Sequence, residues 1–71
     1  MKITGTNTYV EIETEARTVR FAGELLVGGF VAFIKSARLI NGEPLTTEAL
    51  DELVEAIRIK TKGSHMVITF E

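Results

Sequence analysis

This sequence predicts an α+β fold in a single domain spanning residues 1–71: a small, mostly antiparallel β-sheet with one amphipathic helix from the C-terminal half packed on one face, in the order β-β-β-β-α-β. Three observations carry the prediction. Residues 8–22 alternate apolar and polar side chains with the period of two that a half-buried strand requires. Leu50, Leu53, Val54 and Ile57 recur at i, i+3, i+4 and i+7, the stripe of a surface helix. Between the two patterns stands Asn41-Gly42-Glu43-Pro44, where Asn-Gly favours positive φ and a proline is unfit for a central strand, so the sheet hands over to the helix here.

Lys2-Ile3-Thr4 is short and rich in β-branched residues, and Gly5-Thr6-Asn7 reads as the turn that follows it. In Thr8–Glu15, Val10 and Ile12 lie on one face, with Tyr9, Glu11, Glu13 and Glu15 on the other. Arg17–Ala22 turns Val19 and Phe21 inward and Thr18 and Arg20 outward, so the two segments form an antiparallel hairpin that turns near Glu15-Ala16. Across it Arg20 faces Glu11 or Glu13, an opposite-charge pair of the kind that supports a sheet. The run from Gly23 to Phe33 is too apolar for a loop, and its three glycines mark sharp turns or close approaches; two strands folded about Gly28-Gly29 are expected. Residues 35–40 fit either a strand end or a helical turn.

Thr46 or Thr47 can cap the helix, and Gly63 stands where a left-handed C-terminal residue is wanted. Its charges suit the helix dipole: Glu48, Asp51 and Glu52 lie early, Arg58, Lys60 and Lys62 late. Met66-Val67-Ile68-Thr69-Phe70-Glu71 closes the chain as a strand, with Met66, Ile68 and Phe70 on one face. One helix covers one sheet face, so the other must be polar or meet a partner.

Seventy-one residues without cysteine lie near the lower limit at which a single apolar core holds a fold without disulfide or metal staples. A hydrophobic fraction of 45% with positive mean hydropathy predicts that part of the surface is hidden in another subunit, most simply in a two-fold homodimer. A formal net charge of −2 supplies no overall attraction for nucleic acid or anionic lipid. Met1–Gly5 lacks the apolar core of a signal peptide, and the uncharged run Leu25–Ile34 is too short to span a bilayer, so no membrane association and a cytoplasmic location are expected.

Catalysis is hard to build from this residue set. There is no cysteine nucleophile, His65 is the only histidine, and Ser64 beside it on a turn aims its side chain elsewhere. A lone histidine next to Gly63-Ser64 suits a helix end better than a metal site, which needs three or four ligands. Gly23, Gly28 and Gly29 lack the Lys-Ser/Thr and the following helix of a phosphate loop, and read as turns and close strand crossings. The expectation is a protein that is not an enzyme, with no cofactor and no metal.

Recognition has better candidates. Tyr9, Glu11 and Glu13 line one strand face; they are either a solvated outer surface or a docking patch for a basic partner, with Tyr9, the only tyrosine, as its aromatic anchor. Glu24, the only acid between Ala22 and Lys35, either points outward or is partly buried against a partner such as Arg20 or Lys35.

Met1-Lys2-Ile3-Thr4-Gly5, Tyr9-Val10, Glu11-Ile12-Glu13, the core Gly23-Glu24-Leu25-Leu26-Val27-Gly28-Gly29-Phe30-Val31-Ala32 and the ending Lys60-Thr61-Lys62-Gly63-Ser64-His65-Met66 together resemble the short bacterial proteins of immunity protein family 74. The resemblance covers nearly the whole chain, and Gly-Glu-Leu-Leu-x-Gly-Gly-Phe is its most specific part. It implies a cytosolic protein that neutralises the cognate toxin of a polymorphic-toxin system by binding it, with Tyr9, Glu11, Glu13 and Glu24 as the contact residues offered by this sequence. The competing expectation is a small structural or self-assembling domain with no toxin partner.

Overall fold

The computed structural model describes all 71 residues. Its elements are β1 (Lys2–Gly5), β2 (Tyr9–Glu13), β3 (Thr18–Leu26), β4 (Gly29–Ala32), β5 (Arg38–Leu39), α1 (Thr47–Thr61) and β6 (Val67–Phe70). The strands lie in the order β1-β2-β3-β4-β6, with β5 pairing β3 beside β4. All pairings are antiparallel except that of β4 with β6, which the passage through β5 and α1 makes parallel. The α+β architecture read from the sequence is therefore the observed one, with a two-residue strand added to the four that precede the helix.

The β2–β3 hairpin turns at Thr14–Arg17, closed by a 2.8 Å bond from Thr14 N to Arg17 O, and its register sets Glu11 opposite Arg20. Gly23 does not break the chain. It sits inside a nine-residue β3, at the point where that strand stops pairing with β2 and begins to pair with β4. A side chain at Gly23 would collide with the Val31 carbonyl and the Phe30 ring, so the glycine serves close packing. The bend lies one residue earlier than the expected Gly28-Gly29, where Val27 and Gly28 form the loop between Leu26 and Gly29 and Gly28 takes φ +80°.

Residues 35–40 combine the two conformations that their sequence allows. Ile34–Ser36 is a single 3₁₀ turn, and β5 follows it. The Ser36 hydroxyl accepts a 2.8 Å bond from Ala22 N, filling the gap on the edge of β3 between the stretches paired to β4 and β5. Asn41 Oδ1 accepts from Glu43 N at 3.0 Å, holding the turn before the helix.

Thr46 is the helix cap, its Oγ1 accepting from Ala49 N at 3.2 Å, and Gly63 follows the helix end with φ +77°. Leu53, Val54 and Ile57 are buried, and Leu50 is half-buried at the margin. The helix rests on the inner sheet face, where Val10, Ile12, Val19, Phe21, Phe30 and Ile68 form the core. Phe70 meets the Phe21 ring edge to face, with centroids 5.5 Å apart. Met66 falls outside the last strand, which begins at Val67.

Thr61 is the one polar side chain buried in the protein. Its hydroxyl donates to Ile57 O at 2.9 Å and accepts from Ile68 N at 3.3 Å, tying the helix end to the outer side of β6. Both hydrogen-bonding functions of the hydroxyl are satisfied, so its burial is inexpensive.

Candidate interaction surface

Facing away from the helix, the outer sheet face carries the side chains that the strand alternation sends outward. Tyr9, Glu11 and Glu13 come from β2, Thr18, Arg20, Ala22 and Glu24 from β3, and register places Lys2 across from Glu13 and Arg38 across from Arg20. At the centre Arg20 donates from Nε to Glu11 Oε2 at 2.9 Å and from Nη2 to the same oxygen. The guanidinium carbon lies 4.2 Å from the centre of the Tyr9 ring. Stacking and charge-assisted hydrogen bonds thus lock the three side chains into one unit. The hydrogen bond to Glu11 raises the Arg20 pKa above its ordinary value, keeping this group charged.

Because both donors engage Oε2, Glu11 Oε1 remains free to accept from another molecule. Glu13 and Glu24 have no ion-pair partner, and Arg38 turns away, donating to Ala37 O at 2.7 Å and Lys35 O at 3.2 Å. The face carries both signs of charge, with its unpaired carboxylates at Glu13 and Glu24.

Glu24 points outward and is exposed, opposite Val31. It takes neither Arg20 nor Lys35 as a partner. Around it the strand alternation brings Leu26, Phe33 and Val67 to the same face; Leu26 is 50% and Phe33 40% exposed. The outer face therefore has two halves, a charged one built on Tyr9–Arg20–Glu11 and an apolar one centred on Glu24. The four residues singled out in the sequence, Tyr9, Glu11, Glu13 and Glu24, share this face; sequence reasoning missed the apolar frame and the stacking of Arg20. Alternation of Leu26 with Glu24 was a signal for the frame, but Phe33 and Val67 join it only through pairing.

A second concavity, of about 690 Å³, opens on the inner side past the C-terminal end of α1. Its walls come from β1 and the turn after it on one side and from the α1–β6 connection on the other, over a floor of Val10, Leu25 and Ile68. The two strands at opposite ends of the sheet order thus border one cleft, because the sheet curls. No strongly polar group projects from its floor, and Lys60 is the only charged residue in its lining.

The serine hydroxyls have structural positions. Ser36 holds the edge of β3, and Ser64 Oγ lies 2.8 Å from Thr61 O and 2.7 Å from Met66 O in the turn after the helix. His65 is exposed and no three potential metal-ligating side chains converge. No helix is long and apolar enough to cross a membrane.

No curated protein and no solved structure matches this chain. The family described as Immunity protein 74 matches it over residues 2–71, which takes in every strand, the helix and both halves of the outer face. The chain belongs to the Immunity protein 74 family.

Proposed function

We propose that this protein neutralises its cognate toxin by stoichiometric, non-catalytic binding in the cytoplasm, and that the outer sheet face is the contact surface. The observation that supports it is the fixed unit Tyr9–Arg20–Glu11, flanked by the unpaired carboxylates of Glu13 and Glu24. An aromatic anchor beside pre-oriented charges is the pattern of an interface centre, since little side-chain entropy remains to be lost on binding. Leu26, Phe33 and Val67 add apolar area around Glu24. The partner best suited to this surface presents basic side chains among apolar ones, and its approach is accelerated by charge steering that salt weakens.

The test is Glu11→Lys with Glu13→Lys, two exposed or half-exposed positions whose change spares the core. Expressed with its cognate toxin, sought first in the neighbouring gene, the double variant should bind more weakly at low salt, mainly through slower association. Unchanged affinity with an intact fold would overturn the outer face as the contact surface.

A second reading has its own observation. The chain exposes 4868 Å², about 500 Å² more than the ~4,400 Å² that surface scaling gives for a monomer of its mass. A structural domain, or a two-fold dimer through the apolar half of the outer face, accounts for that excess. Light scattering at micromolar concentration should then return twice the monomer mass, and a monomer would remove the dimer. A toxin gene beside this one favours the first reading; a solitary gene favours the second.

A further inference from the structure

In an antiparallel ladder the backbone groups of alternate residues point to the partner strand and to the open side. Thr6 N bonds Tyr9 O at 2.9 Å, which phases the β1–β2 ladder. By that phase Thr4 and Lys2 bond to β2, and the amides and carbonyls of Ile3 and Gly5 face the open edge of β1. The other end of the sheet is different. On the outer side of β6 the Ile68 amide is already taken by the Thr61 hydroxyl. The open edge of β1 borders the inner cleft, where Gly5 contributes backbone alone.

Alongside that edge lies an apolar floor. Val10, Leu25 and Ile68 form it, Met66 stands at the rim, and Leu25 is 47% exposed despite pointing to the inner face. A row of unpaired amides beside a hydrophobic trough is the arrangement by which proteins take an extended strand: the ladder supplies affinity, and pockets for alternate side chains supply selectivity. Lys60, the one charge in the lining, favours an acidic residue on the incoming segment.

We infer that the cleft is a strand-addition site, in which an extended segment of the partner toxin, with alternating apolar residues and an acidic end, pairs with β1 and drops its apolar side chains over Val10, Leu25 and Ile68. This rests on the toxin-binding reading above and adds to it a second, backbone-directed contact. The outer face meets basic groups, while the cleft takes an acidic, apolar strand.

The test uses the full chain, labelled with ¹⁵N, and the blocked hexapeptide acetyl-Glu-Thr-Val-Thr-Val-Thr-amide, whose glutamate and valines share one face, at up to about 1 mM, where binding of roughly −4 kcal/mol is detected. Saturable shifts are expected at Ile3, Gly5, Leu25 and Met66, with amide exchange at Ile3 and Gly5 slowed roughly tenfold or more, as a newly paired edge requires. Peptides with alternate amides N-methylated, one for each phase, should differ, one binding and the other not. Leu25→Lys, an already part-exposed position, should weaken binding roughly tenfold, and Lys60→Glu should reverse the preference for glutamate over lysine at the first peptide position.

Absence of saturable shifts, shifts centred on Glu11 and Glu24, equal binding by both N-methylated peptides, or peptide-free pairing of β1 with a second copy would each overturn the strand-addition site. None of these results depends on the toxin. Should they fail while Glu11→Lys with Glu13→Lys still weakens the toxin complex, the outer-face reading stands alone.

Discussion

Replacing Phe21 by alanine should lower the melting temperature by about 15–30 °C, the loss expected when about 3–5 kcal/mol is removed from a domain of this size. Phe21 is fully buried at the centre of the core and loses its edge-to-face contact with Phe70 on truncation. A chain of 71 residues has only about 4–11 kcal/mol to lose in total, so this one side chain carries a large share. Phe33→Ala is the matched control: the same atoms leave a 40% exposed site on the outer face, and the melting temperature should move by only a few degrees. Thermal unfolding followed by circular dichroism decides it. Equal losses for the two variants would mean that the core is not where the structure puts it.

The second large effect falls on recognition. Tyr9→Ala should weaken toxin binding by about 2 kcal/mol or more, roughly thirtyfold in Kd, the scale of an aromatic hot spot. Its removal takes away both the contact surface and the ring on which Arg20 lies 4.2 Å away, so Glu11 loses a pre-positioned partner as well. Tyr9→Phe keeps the ring and therefore the stack, and should retain most of the affinity. Calorimetric titration of the two variants distinguishes an anchoring ring from a hydroxyl contact; equal, small losses would remove Tyr9 from the interface centre.

Local pattern was enough to read the helix and the first hairpin. Leu53, Val54 and Ile57 repeat within one element, and the Thr46 cap and Gly63 stop are set by residues within a turn of where they act. The alternation of Val10 and Ile12 with Glu11 and Glu13 placed the last two outward, and the same reasoning placed Arg20 beside them. What escaped is long-range. Glycine at position 23 is as compatible with a turn as with close packing, and only the arrival of Phe30 and Val31 from β4 decides between them. Ser36 has no periodic signal; its role comes from a gap in β3 fourteen residues away. The cleft exists because the sheet curls until β1 and the α1–β6 connection stand opposite each other, a property of no single segment.

Thr61 illustrates how a short-range choice can govern behaviour between molecules. A sheet with two open ends is a template on both sides, and once copies join end to end nothing stops the row from lengthening into a fibre. Here one hydroxyl, held in place by Ile57 O, occupies the Ile68 amide and removes one of the donors that a strand added at that end would need. A row of copies joined edge to edge would have to form at that end with this donor already spent, which disfavours its lengthening. The same bond that completes the fold thus works against end-to-end assembly of its copies.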